Sequence, residues 1–396
     1  MSKRWPGKTV IGLTGNIATG KSVVRRMLEH LGAFGIDADG LAHRAMSPGA
    51  PAYKPIIETF GRWILTPDGR IDREKLGKVV FADPDALARL EAITHPIVLE
   101  VIDLLIRRSK QKVVVIEAIK LFESGLAERC DSVWVVDAPP DVQVKRLVEK
   151  RKMSEEEARR RIAAQPPQSD KLARASVIIH NAKGFEDTYR QVREHFDKLV
   201  GAPAPAPAVT APPPKAAAKP PKGEAPEEEK EAVEKAITVR RSGPEEVEQV
   251  AAFISKIDKT SLSREEMMER FGQKAYMAAY TGNQIVGLAG WQVENLITRI
   301  DEFRLAPDAP VKKVVSALIE HIEKGSNDLQ SEIALLFLKN DTPDEVRKAV
   351  MAAGYTPQTA SDLKVPDWRE AARESAPPDS YMVVKRLRAD RVLRPI

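Results

Sequence analysis

Residues 15–22 have the types and spacing of a phosphate-binding loop: they read Gly-Asn-Ile-Ala-Thr-Gly-Lys-Ser. A run of apolar residues precedes them, and an amphipathic pattern of helical period follows them. This order of strand, glycine-rich turn and helix predicts a P-loop, because the backbone N–H groups of such a turn converge on an anion at a helix N-terminus. In a P-loop of this kind Lys21 contacts the β- and γ-phosphates of a nucleotide, and the Ser22 hydroxyl holds Mg²⁺.

Two carboxylates, Asp37 and Asp39, follow the second of five apolar runs in the first half of the chain. The runs are nearly continuous in apolar residues, which is typical of parallel strands buried on both faces. They cover residues 10–13, 33–36, 112–116, 132–136 and 175–179. Because ligands bind beyond the carboxyl ends of such strands, we expect Asp39 to be the catalytic carboxylate, which accepts the proton of an acceptor hydroxyl or orients that hydroxyl. The alternatives are that Asp39 only caps the helix beginning near Gly40, and that Asp37 binds a magnesium-bound water or only holds the turn.

Further charged and polar groups follow the later strands. Glu117 and Glu123 come after the third strand, Arg146 and Arg151 lie on the helix after the fourth, and Asn181 follows the fifth. Such groups gathered at one edge of a sheet indicate a phosphoryl-transfer site. The spacing of the two arginines places them on different faces of one helix, so the sequence leaves open which of them contacts the nucleotide.

An insertion between the second and third strands, roughly residues 41–110, has mostly helical patterns. We expect it to cover the acceptor side of the site, with a helix over residues 97–106 that Pro96 opens. Residues 153–165 contain a capping-box pattern followed by three consecutive arginines, Arg159, Arg160 and Arg161. These arginines form either a solvated basic face or a mobile cationic lid over the nucleotide.

The composition bounds the class of protein. With 396 residues the chain is long enough for two or three domains, and its net charge of +5 suits anionic ligands without indicating a nucleic-acid partner. The single cysteine, Cys130, is typical of a protein from a reducing compartment. Because the sequence has neither a signal-peptide pattern nor a stretch apolar enough to span a bilayer, we expect a cytoplasmic protein with no membrane partner.

A change in composition near residue 201 divides the chain. Proline and alanine dominate first and acidic residues follow, which predicts a disordered linker over residues 201–235 between domains at 1–200 and 236–396. Apolar patterns resume at Ile237 in the order strand, helix, hairpin, strand, helix, strand, helix, which predicts a second α/β domain. Because a linker of this kind makes few packing contacts, we expect residues 1–200 to fold and work alone.

Several separated motifs of the first half occur in a fixed order. They are Gly12-Leu13-Thr14-Gly15, Gly20-Lys21-Ser22, Asp37-Ala38-Asp39, Asp72-Arg73 with Leu76 and Phe81, His95-Pro96, Leu121-Phe122-Glu123, Arg146 with Arg151, Gln165, and Asn181 with Gly184. Together they resemble the motifs of the dephospho-CoA kinases, which transfer the γ-phosphate of ATP to the ribose 3′-hydroxyl of dephospho-CoA in the last step of CoA biosynthesis. The fold class that this implies is an α/β P-loop NTP-hydrolase-type parallel sheet with helices on both faces.

The resemblance implies an ATP-dependent kinase with ATP and dephospho-CoA as substrates, Mg²⁺ as the cofactor, and Asp39 and Lys21 as the catalytic residues. The residues that it implies for ATP binding are Gly15, Asn16, Ile17, Ala18, Thr19, Gly20, Lys21, Ser22, Val23, Arg146 and Asn181. Those that it implies for dephospho-CoA binding are Asp39, Arg73, His95 and Glu123. For Arg73 the alternative is a solvated side chain, and for Asn181 it is a turn with Gly184.

Three positions depart from the family's pattern. Val23 stands where threonine is usual, Ile119-Lys120 replaces a Pro-Leu pair in the acceptor wall, and Ser176 replaces an aspartate. Another small-molecule P-loop kinase, such as a nucleoside monophosphate kinase, is the nearer rival interpretation. A regulatory P-loop GTPase is the more distant one, and the sequence contains no N-K-x-D motif for guanine.

The second half resembles the GNAT acyltransferase fold in the order of its elements and in the sequence Ala353-Gly354-Tyr355. Enzymes of that fold hold the acetyl-CoA pyrophosphate on a glycine-rich loop between a strand and a helix. Residues 305–313 contain Pro307, Asp308 and Pro310 and no glycine, so backbone donors are missing and a carboxylate repels phosphate. We therefore expect a degenerate GNAT-like domain that binds a CoA-type ligand weakly, or a protein.

Overall fold

The computed structural model describes residues 4–201, 237–389 and 392. Apart from Gly201, the predicted linker over residues 201–235 lies outside the described residues. The domain limits at 1–200 and 236–396 therefore stay predictions, and the two described stretches are taken in turn.

The first half is built on a parallel sheet. Its strands are β1 (Thr9–Thr14), β2 (Phe34–Asp37), β3 (Val113–Glu117), β4 (Ser132–Asp137) and β5 (Val177–His180). They pair in the order β2-β3-β1-β4-β5, and every pairing is parallel. Each strand overlaps one of the five predicted runs, because a strand with both faces in the core must be apolar along its whole length.

Helices cover both faces of this sheet. They are α1 (Lys21–His30), α2 (Ala38–Ala45), α3 (Tyr53–Phe60), α4 (Arg73–Val80), α5 (Pro84–Arg108), α6 (Pro140–Arg151), α7 (Glu155–Ala163), α8 (Gln168–Leu172) and α9 (Phe185–Val200). Successive residues of β1 point to opposite sides: Val10 packs in the core that contains Ile102 of α5, and Ile11 in the core that contains Met27 of α1. The predicted fold class of this half is confirmed. Nowhere in the described stretches is a helix long and apolar enough to cross a membrane.

The insertion between β2 and β3 is helical as predicted, but Pro96 does not open a helix. α5 runs unbroken through Pro96 and begins twelve residues earlier, at Pro84, with the Asp83 side chain accepting the Asp85 N–H at 2.9 Å. A proline inside a helix removes one backbone hydrogen bond and crowds the preceding turn. Burial of the apolar face that continues on both sides of Pro96 outweighs this cost, and the proline alone could not reveal that.

The second half contains a mixed sheet. Its strands are β6 (Ile237–Ser242), β7 (Ala275–Thr281), β8 (Gln284–Glu294), β9 (Ile297–Leu305), β10 (Ile333–Lys339), β11 (Thr356–Pro357) and β12 (Ser380–Arg386). Its helices are α10 (Val247–Asp258), α11 (Arg264–Phe271), α12 (Val311–Asp328), α13 (Asp344–Ala352) and α14 (Pro366–Ser375). The strand order is β11-β12-β10-β9-β8-β7-β6, in which β9 and β10 are parallel and the other pairs antiparallel.

The predicted elements of the second half are present, including the hairpin of β7 and β8. Four elements were missed: α11, α14, β11 and β12. β12 is a central strand between β10 and β11, yet its buried apolar side chains are only Met382, Val383 and Val384. An apolar run of that length does not distinguish a buried strand from a loop.

The two halves pack against each other, and the expectation that residues 1–200 fold and work alone stays a prediction. Leu296, in the turn between β8 and β9, is only 5% exposed and belongs to the same apolar cluster as Leu41 and Leu105 of the first half. The buried Arg44 of α2 forms a salt bridge of 3.0 Å with the buried Glu332. The composition of a linker does not predict such an interface, because its contacts join residues that are distant in the sequence, such as Arg44 and Glu332.

Candidate active site

The loop between β1 and α1 has the backbone of a P-loop. Gly15 and Gly20 adopt positive φ angles of +151° and +99°, which side chains rarely tolerate. A Cβ on Gly20 would lie 2.0 Å from Nδ2 of Asn181. Because α1 starts at Lys21, its free N–H groups and positive dipole end face the loop. The predicted phosphate-binding residues 15–23 are thus contiguous with the carboxyl end of β1 and the first turn of α1.

Arg146 and Asn181, both predicted to bind ATP, support this loop from behind. Nη1 of Arg146 donates to the carbonyl oxygens of Ala18 and Thr19 at 3.2 and 3.1 Å, and Nη2 donates to the carbonyl of Asn181 at 2.8 Å. The Asn181 amide donates to the Thr19 carbonyl at 2.8 Å and accepts from Thr188 at 3.0 Å. The contacts of Arg146 and Asn181 with protein groups therefore fix the shape of the loop, and an adenine contact by Asn181 stays a prediction.

The segment between α7 and α8 covers the opposite side of the loop. The Asn16 N–H donates to Oε1 of Gln168 at 3.0 Å, and the Ile17 N–H donates to Oε1 of Gln165 at 2.8 Å. Two amide donors of the loop are thus engaged by glutamine side chains. Gln165 belongs to the sequence motifs, whereas Gln168 was missed because nothing in its neighbourhood marks it.

The arginines of α7 pair mainly within their own helix. Arg159 and Arg161 form salt bridges of 2.7 and 2.8 Å with glutamates one turn earlier. Both side chains are exposed, as is Arg160. These contacts favour the solvated basic face. Arg151 is also exposed at the end of α6, so of the two arginines on α6 it is Arg146 that reaches the loop.

Lys21 and Ser22 lie where a phosphate and its metal ion would bind. Lys21 is buried, and its Nζ donates to the Asn16 carbonyl at 3.2 Å. Burial lowers the pKa of Lys21, while the carboxylates of Glu117 and Asp39 act in the opposite direction. The exposed Ser22 donates its hydroxyl to Oε1 of Glu117 at 2.8 Å. Lysine and serine are therefore held side by side next to two carboxylates.

Asp37 and Asp39 have separate contacts. Asp37 is the N-cap of α2, and its Oδ1 accepts the Gly40 N–H at 2.9 Å. Asp39 lies in the first turn of α2, and its Oδ2 accepts the Ile119 N–H at 3.0 Å. Capping is thus the role of Asp37 and not of Asp39.

Both carboxyl groups are harder to ionise than ordinary aspartates. Burial, with a contribution from Glu117, raises the pKa of Asp37 to about 6. Burial also raises the pKa of Asp39, although the Ile119 N–H and Lys21 partly oppose it. Clustered carboxylates with raised pKa values at a strand edge are typical of a functional site.

The residues predicted to bind the acceptor are spread over the insertion and the turn after β3. Arg73 begins α4 and its Nη2 lies 3.4 Å from Oε1 of Glu370, a residue of α14 in the second half. His95 is half-buried midway along α5, and Glu123 is exposed in the turn after β3. Their positions are consistent with a broad acceptor surface, and their roles stay predictions.

Three residues at the site were not assigned a role from the sequence. Oε2 of Glu117 accepts Nε of the buried Arg25 at 2.8 Å. Nζ of the buried Lys171 donates to the Ile119 carbonyl at 3.1 Å, and burial lowers the pKa of Lys171. The position of Glu117 at the end of a strand already placed it among the groups that indicate the site, although without a role. A charged residue within α1 or α8 carries no such signal.

The donor set next to Ser22 is suited to Mg²⁺. This ion prefers hard oxygen ligands and is commonly held by one or two carboxylates together with substrate phosphates. Ser22 contacts Glu117 directly, and Glu117 is electrostatically coupled to Asp37 and Asp39. Within the described residues no cluster of three or more His, Cys, Asp or Glu side chains forms a self-sufficient metal site.

A parallel sheet of this topology, with a P-loop lysine facing carboxylates on the neighbouring strand ends, defines a P-loop kinase. The family model described as CoaE, dephospho-CoA kinase, matches residues 9–187. The dephospho-CoA kinase of Geobacter sulfurreducens is 46% identical over 192 residues, which are 48% of this chain and 98% of that protein. The chain belongs to the dephospho-CoA kinase family and is an ATP-dependent kinase.

Two solved structures complete the comparison. The dephospho-CoA kinase from Campylobacter jejuni is 30% identical, with a TM-score of 0.37, and the match covers 49% of this chain and 98% of that one. Over 39% of this chain and all of the other, a GNAT-family acetyltransferase from Staphylococcus aureus is 13% identical, with a TM-score of 0.32. TM-scores this low do not establish a shared fold, so the GNAT-like nature of the second half stays a prediction.

Proposed function

We propose that the first half of the chain transfers the γ-phosphate of ATP to the ribose 3′-hydroxyl of dephospho-CoA, giving CoA and ADP. The observation that carries the proposal is the juxtaposition of the P-loop Lys21 with Asp39, whose charges influence each other across the site. Family membership supplies the identity of the acceptor.

Asp39 is the residue that acts on the acceptor hydroxyl. Its Oδ2 is fixed by the Ile119 N–H, which leaves Oδ1 available to accept a hydrogen bond from the 3′-hydroxyl. This contact orients the oxygen for in-line attack and takes its proton as the new phosphate ester forms. The P–O bond to the β-phosphate breaks at the same phosphorus, and ADP carries the electron pair away.

Lys21 and the loop amides stabilise the negative charge of the transferred group. An ammonium ion in a buried site interacts with developing charge far more strongly than it would in water. Mg²⁺, held by Ser22 and the adjacent carboxylates, would neutralise charge on the β- and γ-phosphates. Gln165 and Gln168 must exchange their contacts with the loop amides when the phosphates bind, which couples nucleotide binding to the α7–α8 segment.

An acceptor panel tests this proposal. The purified full chain is supplied with MgATP and, in separate reactions, with dephospho-CoA, AMP, CMP or shikimate, and ADP formation is followed by a coupled assay. We expect turnover with dephospho-CoA and little with the others. Preferential phosphorylation of AMP or CMP would instead support the nucleoside monophosphate kinase alternative.

For the second half we propose an accessory GNAT-like domain that has lost the standard acetyl-transfer site. Support comes from the segment between β9 and α12. Pro307 and Pro310 have no N–H to offer, and the Ala309 N–H donates to the Ala306 carbonyl at 3.0 Å. Donors that an acetyl-CoA pyrophosphate would need are thus missing or engaged.

A cleft of about 690 Å³ nevertheless lies beside this segment, lined by apolar residues such as Phe303 and Phe337 together with charged ones. Its size is within the range of small-molecule sites. We therefore also propose that a CoA-type ligand binds weakly in this cleft. The test measures thiol release when the full chain is mixed with acetyl-CoA and a panel of primary amines. We expect none above background, and steady acetyl transfer would overturn the proposal of a degenerate domain.

A further inference from the structure

The turn between β8 and β9 is inserted into the kinase half of the molecule. It consists of Asn295 and Leu296, flanked by the paired residues Glu294 and Ile297. The Arg44 guanidinium of α2 donates to the Asn295 carbonyl. The turn thus projects from the second half onto α2, the helix whose first turn contains Asp39.

The backbone of this turn is strained at both of its residues. Asn295 and Leu296 both have positive φ angles, +49° and +63°. A two-residue hairpin turn with positive φ at both positions favours glycine at the second, and a leucine is strained there. The Leu296 side chain offsets this strain, because it is 5% exposed and packs in the apolar cluster that contains Ala38 and Leu41 of α2.

The turn also lies directly against the residue that follows Asp39. A Cβ on Gly40 would be 2.2 Å from Oδ1 of Asn295 and 2.7 Å from Oδ2 of Asp37. The first turn of α2 is therefore confined between the β8–β9 turn and its own cap. A helix held on this side cannot drift away from the Ile119 N–H that fixes Asp39.

A chain of ionic contacts links the same turn to the P-loop. The Glu294 carboxylate lies 3.6 Å from Arg26 and 3.9 Å from Arg25. Arg25 donates to Glu117, and Glu117 accepts the Ser22 hydroxyl. Together these guanidiniums and Arg299 hold the pKa of Glu294 below its usual range, against the effect of burial.

We infer that the β8–β9 turn, residues 294–297, positions the kinase site of this chain: Leu296 and Asn295 hold the helix that carries Asp39, and Glu294 holds Arg25 and, through Glu117, Ser22. Relatives that match the first half along 98% of their length contain no equivalent of the second half within that match. These residues are positioning residues and touch neither substrate. The inference rests on the proposed dephospho-CoA kinase activity.

The test uses the full chain and the variant Leu296→Gly. Glycine relieves the strained φ, so the second half keeps its turn, while the side chain that packs against α2 is removed. We expect kcat for CoA formation to fall about tenfold or more, since small misplacements of reacting groups have effects of this size, with KM for MgATP within about threefold. Leu296→Met, which keeps an apolar side chain of similar volume, is expected to retain kcat to within about twofold of the original chain.

Glu245→Gln is the matched interface control. Glu245 also joins the two halves, accepting from Tyr189 at 2.9 Å and from Arg193 at 3.0 Å on α9, away from the site. The kcat of Glu245→Gln is expected to stay within about twofold of that of the original chain, because exposed ion pairs contribute little energy. Should Leu296→Gly fail to fold, Glu294→Gln takes its place, with a fall in kcat of about fivefold expected.

Amide hydrogen exchange tests how firmly α2 is held without relying on kinase activity. We expect the amides of residues 38–45 to exchange faster in Leu296→Gly than in the original chain, and those of α9 to be unchanged. Equal kcat and equal exchange in Leu296→Gly, or an equal loss in Glu245→Gln, would overturn the inference. A chain that makes no CoA, yet shows the faster exchange in α2, would instead remove the proposed function and keep the positioning of α2 by the turn.

Discussion

Asp39 combines a fixed orientation with an environment that resists ionisation. One carboxylate oxygen accepts the Ile119 N–H at 3.0 Å, and Lys21 is close enough to favour the charged form against burial. We expect Asp39→Asn to lower kcat by about 10²–10⁴-fold, the usual range for loss of a general base, with little change in ATP affinity. Steady-state kinetics with MgATP and dephospho-CoA measure both quantities, and a near-original kcat would remove Asp39 from the mechanism.

Lys21 provides the positive charge of the site. The Lys21→Ala substitution leaves the loop without its cation next to the transferred phosphate, where the surrounding low dielectric makes the charge most effective. We expect turnover to disappear while the unfolding temperature changes little. A substantial residual kcat in Lys21→Ala would mean that another cation, with the buried Lys171 as the nearest candidate, takes its place.

The pH dependence of kcat follows from the raised pKa of Asp39. A carboxyl group must be ionised to accept the hydroxyl proton, so kcat is expected to fall as pH decreases through the raised pKa of Asp39. The negative charge of Glu117 adds to the effect of burial on that pKa. Glu117→Gln keeps an oxygen for the Ser22 hydroxyl and removes the charge, so the acidic limb of the profile is expected to move to lower pH. A limb that stays in place would contradict this coupling.

Among the individual residues of the site, the sequence predicts those that belong to recognisable motifs. It misses those whose role depends on tertiary contacts. Lys21, Ser22 and Asp39 come at fixed places after strand ends, where physical principles say that ligands bind. Arg25 and Lys171 lie inside helices. Their place at the site follows from contacts with Glu117 and with the Ile119 carbonyl, which the sequence does not show. The hydrogen bond from Asn181 to the Thr19 carbonyl could not be predicted either, because it depends on how β5 approaches the loop.

Among the elements, the P-loop provides the sharpest test of backbone geometry. Gly20 and Gly32 have nearly equal φ angles of +99° and +97°, but a Cβ would meet Nδ2 of Asn181 at 2.0 Å on Gly20 and nothing within 4 Å on Gly32. Both alanine substitutions carry the strain of a left-handed residue, about 1–2 kcal/mol. Only Gly20→Ala is expected to raise KM for ATP, as measured in the kinase assay. An equal rise in Gly32→Ala would mean that strain alone explains the effect.

Whether an element could be predicted from the sequence depends on the interactions that stabilise it. Most residues of the parallel strands are apolar, so the positions of these strands were predictable. The break expected at Pro96 was wrong, because the core on both sides of that residue keeps α5 continuous. β12 is identified by its pairing with β10, seven residue pairs long, and with β11. Such long-range pairing cannot be predicted from a short apolar run.

For the whole molecule, the interface changes what truncation should do. A chain that ends at Gly201 exposes Leu41, Leu105 and other apolar residues of the cluster that Leu296 completes. We expect it to lose roughly 2 kcal/mol or more of unfolding free energy, since burial of one leucine contributes about 1.5–3 kcal/mol. Urea unfolding of the truncated and full chains measures the difference. Equal stability and equal kcat would restore the expectation that the first half is independent.

Interface charges offer a second test within the full chain. Arg44 is buried with Glu332 at 3.0 Å, and the side chains are 5% and 1% exposed. Replacing one partner of a buried pair typically costs about 3–5 kcal/mol because the other charge stays buried. Glu332→Gln is therefore expected to lower the unfolding free energy well beyond the change in Glu245→Gln at the exposed side of the interface. Similar values for the two variants would show that Asp367, 3.4 Å from Arg44, compensates for the lost partner.

The central claim is that this chain phosphorylates the 3′-hydroxyl of dephospho-CoA at the site formed by Lys21 and Asp39. The most direct measurement supplies the purified full chain with dephospho-CoA, Mg²⁺ and ATP labelled in its γ-phosphate, and follows the label by mass spectrometry. We predict that the label appears in CoA at the 3′-position, and that Asp39→Asn slows its appearance by at least about 10²-fold. Label that remains in ATP or is released as inorganic phosphate, with dephospho-CoA unchanged, would contradict the account.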